Sequence, residues 1–430
     1  MRLSVKNMKR FLIIADDITG ANDTGVMLVR CGIPAVVTLR EISDKPPLLS
    51  GISGIEHRSL DEAGGKPVSY VLNTESRALN PAKAYSLLSG LSVDFEDFDF
   101  IVKKVDSTLR GNIAHEILAI DKSYKPDLIL FMPALPDLGR TTQNGVHMLH
   151  GVPVSETEIG ADPKTPVHED DLKMVLSSVY DEPITHFSIE DIEAGLPDLG
   201  QKRICFCDAV TNRHMQKVVS LALKTGRRIL WVGSAGIVDS LAQRIFNPSP
   251  AMALVTSISE TTGRQVKFAE EKGVPLVIIP WQRLVSGDYE NYIRDGIAFL
   301  KSGMDVIILP SSSYDRTQFE GSSIHTGQKI QAAMGAIAAA ILEEVKLSGV
   351  FLTGGDMAMG FFSRIGANRF TVASEVLLGT PLLNITGTKY AGMKVITKAG
   401  AFGQPDAILY CLRKLKENMP AFSLDGFQIN

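Results

Sequence analysis

Phe11-Leu12-Ile13-Ile14-Ala15-Asp16-Asp17-Ile18-Thr19-Gly20-Ala21 reads as a buried strand that breaks on two acids and then enters a helix. Val350-Phe351-Leu352-Thr353-Gly354-Gly355-Asp356-Met357-Ala358-Met359-Gly360 repeats the plan near the other end of the chain. A continuous apolar run of this kind suits a parallel strand buried on both faces. In open α/β sheets the strand-to-helix switch is where ligands bind. Two such switches in one chain point to two ligands brought face to face, as group transfer requires.

Working outward, short apolar runs alternate with amphipathic stretches, the pattern of β-α-β units. Strands are expected over residues 11–15, 35–39, 69–73, 100–103, 128–132, 204–208 and 229–233. Helices are expected over 20–31 and 81–91, and residues 139–166, rich in Gly and Pro, read as loop with short hairpin pieces. Phe246-Asn247-Pro248-Ser249-Pro250 stops a helix and makes a linker. A second series of strands follows over 253–257, 276–279, 305–309, 350–353 and 393–398, with an alanine-rich helix over 328–344. The expected fold is therefore α/β with two domains, 1–246 and 251–430, each a mainly parallel sheet flanked by helices.

Composition sets the limits. At 430 residues the chain is too long for one ordinary core. A 45% hydrophobic and 21% charged content is that of a globular protein rather than a disordered one. The formal charge of −4 and the absence of long basic runs argue against nucleic acid as a partner. The apolar run after the basic start lasts only from Phe11 to Ala15, too short for a signal peptide, and no run approaches the roughly 18 residues of a membrane span. Cys31, Cys205, Cys207 and Cys411 lack zinc-site spacing and read as structural thiols of a reducing cytoplasm.

Three clusters could carry chemistry. Asp16-Asp17 ends a strand, where adjacent acids repel unless a cation or a hydrogen-bonding ligand is near. One of the two could hold or deprotonate a substrate hydroxyl, and the plain alternative is that Asp17 caps the following helix. Adjacent side chains leave a strand end in opposite directions, so only one is expected to face the ligand. Lys103-Lys104-Val105-Asp106-Ser107-Thr108-Leu109-Arg110-Gly111-Asn112 follows another strand. Its cations suit carboxylate or phosphate, and its Asp and Ser suit hydroxyls, the set expected for a small polyhydroxy acid. Arg77, after the strand at 69–73, could join as a carboxylate clamp.

Thr353-Gly354-Gly355-Asp356 is the third, with Gly400-Ala401-Phe402-Gly403 and Val255-Thr256-Ser257-Ile258-Ser259 offering similar turns. Glycines admit phosphate oxygens to backbone N–H groups, and a helix N-terminus adds a positive pole. The chain holds no Walker A lysine motif and no G-x-G-x-x-G, which counts against a nicotinamide dehydrogenase. His147 and His150 stand at helical i, i+3 spacing without a third ligand, a weak metal motif. No set of metal ligands is identified.

The clusters, in this order, closely resemble the four-carbon acid sugar kinase family, which phosphorylates threonate, erythronate or 3-oxo-tetronate with ATP. The matching segments are Ala15–Ala21, Lys104–Gly111, Thr353–Asp356 and Lys398–Gly403, and the similarity spans nearly the whole chain. The resemblance implies a sugar-acid site of Asp16, Asp17, Arg77, Lys104, Val105, Asp106, Ser107 and Arg110, with Asp17 or Asp106 as the group that orients or deprotonates the hydroxyl. It implies an ATP site of Ser257, Gly354, Gly355, Asp356, Met357, Gly400, Ala401, Phe402 and Gly403, with Mg²⁺ bridging the phosphates and the active site in the interdomain cleft. Met357 replaces the family's common threonine, and Glu260 a common proline. The expected reaction is 4-phosphorylation of D-threonate. D-erythronate, 3-oxo-tetronate and a non-catalytic sugar-acid sensor are the alternatives, and a homodimer is the candidate assembly.

Overall fold

Strand β1, Phe11–Ala15, is buried at all five positions and organises the first half of the protein. The computed structural model describes residues 9–33, 35–39, 69–246, 248–315 and 324–417. The basic start up to Met8, Asn247 of the expected linker and the segment 418–430 lie outside the described residues. Described residues up to Phe246 belong to one compact unit, and Pro248–Glu417 form a second.

The first unit holds β1, β2 (Ala35–Leu39), β3 (Ser69–Asn73), β4 (Phe100–Lys104), β5 (Leu128–Met132), β9 (Ile184–Phe187), β10 (Ile204–Cys207) and β11 (Ile229–Gly233). They form one eight-stranded sheet in the order β2-β3-β1-β4-β11-β5-β10-β9, and every pairing is parallel. Alternate residues of β1 feed opposite cores. Phe11 and Ile13 pack with Ala21 and Leu28 of the helix Ile18–Arg30. Leu12 and Ile14 pack with Ile117 and Ile120 of the helix Ile113–Tyr124. After β1 the chain crosses one face toward β2, and after β4 it crosses the other face toward β5. The two crossovers diverge between β1 and β4, so a crevice opens beyond those strands' carboxyl ends.

Residues 139–166 contain a three-stranded antiparallel sheet: β6 (Arg140–Gln143), β7 (Val146–Leu149) and β8 (Val152–Pro153). His147 therefore lies on a strand and His150 in the next turn, correcting the helical spacing expected of them. Buried residues alternate along β7, the two-residue period of a strand.

In the second unit the strands are β12 (Ala251–Val255), β13 (Leu276–Ile279), β14 (Val306–Pro310), β15 (Gly349–Thr353), β16 (Arg369–Leu377), β17 (Thr380–Thr386) and β18 (Lys394–Lys398). Their order is β13-β14-β12-β15-β18-β17-β16, parallel except at β17 and β16. β12 starts directly after Pro250, two residues earlier than expected, which leaves Thr256 and Ser257 beyond the strand's end. The helix Glu260–Glu271 packs Val266 and Ala269 on one face of the sheet, and the helix Gly355–Arg364 packs Met357 and Phe361 on the other. A second crevice therefore opens between β12 and β15. Sequence reading missed the β16–β17 hairpin. Seven of nine β16 residues are exposed, and its pairing with β17 skips Ala373 and Val376.

Candidate active site

Register places the first crevice's candidate residues in one row. Ala15 pairs with Asn73 on one side and Lys104 on the other, so Asp16, Thr74 and Val105 follow at a common edge. Asp17 takes extended backbone angles and caps the helix Ile18–Arg30, its Oδ1 accepting from the Gly20 amide at 2.9 Å. The capping role is thus real, but the same oxygen also lies 2.7 Å from Arg77 Nη2. Asp16 meets that guanidinium through two hydrogen bonds, Nε to Oδ2 at 2.7 Å and Nη2 to Oδ1 at 3.1 Å. The two acids thus converge on one cation instead of diverging from the strand end. A cation was the requirement set by their adjacency, and Arg77 meets it.

Asp106 completes the cluster. Its Oδ1 lies 3.5 Å from Arg77 Nη2, and Arg110 grips it from the other side with Nε to Oδ2 at 2.9 Å and Nη2 to Oδ1 at 3.1 Å. Thr108 donates to the same carboxylate through amide and hydroxyl. Burial alone would raise the Asp106 pKa, but the Arg110 hydrogen bonds, the Arg77 charge and Thr108 hold it well below the usual carboxylate range. Burial likewise opposes the charge on Arg77, yet its hydrogen bonds to Asp16 and the charges of Asp16, Asp106 and Asp17 leave its pKa raised.

Lys104 is buried beneath these groups and donates to the Val105 carbonyl at 2.7 Å. Its pKa is lowered by burial, against the pull of Asp16 and Asp106. Gly20 makes room for it: a Cβ there would lie 2.6 Å from both Lys104 Nζ and Asp17 Oδ1. The Val105 side chain belongs to the core, so only its backbone can reach a ligand. Leu109 holds a positive φ of 64°, which is costly for a side chain of this size and turns Arg110 back onto Asp106. Asp162, 3.6 Å from Arg110, joins from the 139–166 region and was not foreseen.

At the second crevice Val255, Thr353 and Lys398 stand in register, so Thr256, Gly354 and Ala399 follow side by side. A cavity of about 540 Å³ opens there, its wall including Ser257, Gly354, Asp356, Met357, Gly400 and Ala401. Gly354 has a φ of 108° and provides no side-chain cap for the ten-residue helix Gly355–Arg364, whose Met357 amide bonds back to the Gly354 carbonyl at 3.1 Å and whose first turn stands in the cavity wall. Gly400 passes so close to Ser257 that a Cβ would lie 2.0 Å from the hydroxyl oxygen. Its carbonyl accepts from Ser259 Oγ at 2.6 Å and Thr262 Oγ1 at 2.8 Å, tying the turn after β18 to the turn after β12.

Phe402 and Gly403 stand beyond the cavity wall, and Gln265 Nε2 lies 2.9–3.1 Å from their carbonyls and that of Gln404. Met357 lines the cavity but is fully buried in the apolar core. Lys398 Nζ donates to the carbonyls of Ala399 and Phe402, each at 2.9 Å, and burial lowers its pKa to about 8. Thr256, named above with its turn, lines the cavity, and Ser312 and Gln331 also line it and were missed. For Ser312 a signal existed in Pro310-Ser311-Ser312-Ser313 at a strand end. Among the described residues no group of three or more potential ligands could hold a metal, and no helix is long and apolar enough to cross a membrane.

Two family models match the chain: a sugar-binding N-terminal domain over residues 11–241 and a nucleotide-binding C-terminal domain over residues 252–408. Among curated relatives, a D-threonate kinase of Salmonella typhimurium is 29% identical, the match covering 95% of this chain and 99% of the relative. A D-erythronate kinase of Heliobacterium modesticaldum is 26% identical, with 94% and 97% covered. A 3-oxo-tetronate kinase of Methylobacterium radiotolerans is 24% identical, with 91% and 96% covered. A Bordetella bronchiseptica crystal structure, a domain-swapped dimer with bound citrate, superposes with a TM-score of 0.58 at 25% identity, covering 95% of this chain and 98% of that one. With both halves of the chain matched by the sugar-binding and nucleotide-binding models, this protein belongs to the four-carbon acid sugar kinase family.

Proposed function

We propose that the protein transfers the γ-phosphoryl group of ATP to the 4-hydroxyl of a four-carbon sugar acid, with D-threonate as the preferred acceptor. The observation that carries this reading is the contrast between the two crevices. One gathers Asp16, Asp17, Asp106, Arg77, Lys104 and Arg110, and the other is a cavity lined by glycines and hydroxyls at a helix N-terminus without a side-chain cap. Charged and hydroxyl-bonding groups suit a polyhydroxy carboxylate, and backbone amides suit phosphates.

In this reading Asp17 accepts the hydrogen bond of the reacting hydroxyl. Asp106, held well below the usual carboxylate range by Arg110 and Arg77, is a weak proton acceptor and serves to orient substrate and guanidinium groups. Phosphoryl transfer asks little of a base and much of positioning, which the paired carboxylates and arginines supply. Mg²⁺ bound with the nucleotide would supply positive charge against its phosphates. Such an ion usually takes one or two protein carboxylates, and Asp356, in the cavity wall beside Gln331, is the carboxylate suited to contact it.

D-threonate is favoured by the Salmonella relative, and the D-erythronate and 3-oxo-tetronate kinases define the alternative acceptors. A homodimer belongs to the same reading, supported by the domain-swapped Bordetella relative, and light scattering on the purified protein tests it. Coupled ADP release, screened over D-threonate, D-erythronate, L-threonate and 3-oxo-tetronate with Mg²⁺, tests the reaction. Turnover is expected to be highest with D-threonate, and no turnover with any of the four overturns the reading.

A further inference from the structure

His147 is fully buried, yet neither ring nitrogen is idle. Nε2 lies 2.9 Å from the Ser107 carbonyl, and Nδ1 lies 2.9 Å from the Thr142 hydroxyl. A carbonyl can only accept, so Nε2 carries the proton and donates it. Nδ1 then accepts, and the Thr142 hydroxyl is its donor. Burial pushes the His147 pKa down to about 4 against the Ser107 contact and the charges of Asp106 and Asp170, so the ring is neutral at physiological pH. With both nitrogens committed, His147 has no lone pair for a metal.

What the imidazole does hold is the turn that carries Asp106. Ser107 lies between Asp106 and Thr108, the acid and one of its donors. Thr142 is itself fixed, its amide and carbonyl paired with Ala209. A rigid path therefore runs from the β6–β7 hairpin through Thr142 and His147 to the backbone between those two residues. Asp106 is pulled toward Arg77 and Arg110, and Leu109 is held at a costly φ. A turn under such forces needs an anchor on its far side.

We infer that His147 is a positioning residue for the sugar-acid site: as a neutral Nε2–H donor it locks the Ser107 carbonyl and so fixes Asp106 and Arg110 for the acceptor. The inference rests on the kinase reading above. His147→Leu keeps bulk but removes the donor and is expected to lower kcat/KM for the sugar acid roughly 10- to 100-fold, with KM for ATP unchanged. His147→Gln can still donate to Ser107 and is expected to recover most of that loss. A folded His147→Leu variant with the parent's kcat/KM overturns the inference. Should that variant not fold, Thr142→Val decides. It keeps the shape but removes the hydroxyl that holds the ring at Nδ1, so a fall in kcat/KM for the sugar acid alone supports the inference and parent values overturn it. A parent without turnover defeats the kinase reading instead. In that case ¹⁵N spectra of the histidine ring decide: a proton on Nε2 throughout pH 5–9 is expected, and an Nδ1–H tautomer overturns the inference.

Discussion

Arg77 and Asp16, separated by 61 positions in sequence, face each other through two hydrogen bonds of 2.7 and 3.1 Å, and the same guanidinium reaches Asp17 and Asp106. Arg77 is therefore the hub of three carboxylates rather than a free clamp for the substrate's acid group. Arg77→Ala should leave those carboxylates to repel one another, because removing one partner of a buried ion pair costs about 3–5 kcal/mol. The expected outcome is a melting midpoint lower by roughly 5 °C or more, together with a lower kcat and a higher KM for the sugar acid. Arg77→Lys should restore stability only in part, since an ammonium cannot form the parallel pair of bonds. Calorimetry and steady-state kinetics on the two variants check this.

Asp17 and Asp106 are separable by isosteric change. Asp17→Asn keeps the cap and cannot take a proton, so turnover should fall roughly 10²–10⁴-fold while ATP binding stays intact, if the side chain is the base. Near-normal turnover would leave positioning and Mg²⁺ to do the catalysis.

For Asp106 the pH dependence of stability is the sharper readout. Its folded pKa is depressed, so its contribution is present above about pH 4 and lost as the pH falls below it. The parent's melting midpoint should therefore drop more steeply on acidification than that of Asp106→Asn. Parallel curves would mean that the Arg110 and Arg77 contacts add nothing.

Gly400→Ala should act on the nucleotide alone. The added methyl group would stand 2.0 Å from Ser257 Oγ, so the turns after β12 and β18 must part. KM for ATP is expected to rise about tenfold or more, which corresponds to about 1.4 kcal/mol, with sugar-acid binding unchanged by calorimetry.

Lys398 provides an alkaline test. Its folded pKa of about 8 is lower than its ordinary 10.5, so between these values the unfolded chain binds more protons and stability rises with pH. Nucleotide affinity should move the other way, weakening several-fold from pH 7 to 9 as the charge near the glycine turn is lost. Lys398→Met should flatten both profiles. Unchanged profiles in that variant would mean that other groups titrate.

Much of this was legible because the strands are unbroken apolar runs that stop at an acid, a glycine or a proline. β1, β5, β11 and β15 were read directly from Phe11–Ala15, Leu128–Met132, Ile229–Gly233 and the run into Thr353. Strand order was not legible, because register between β1 and β4 is a property of distant residues. The pairing of Arg77 with Asp16 was hidden for the same reason, and so was the cavity position of Gln331. His147 was misread because a helical spacing of three was counted where the burial alternates by two. β16 escaped notice because most of its residues face solvent, leaving no apolar period to find.

That same strand has a consequence for the protein in concentrated solution. A nine-residue sheet edge exposing Phe370 and Val372 is the kind of template on which other chains polymerise. The skipped residues Ala373 and Val376 break its line of amides twice within four positions, so no straight neighbour can add along its length. The edge is thus guarded by backbone irregularity beside the exposed charges of Arg369 and Glu375. A chain lacking Ala373 and Val376 would keep its chemistry while gaining a strand fit for stacking.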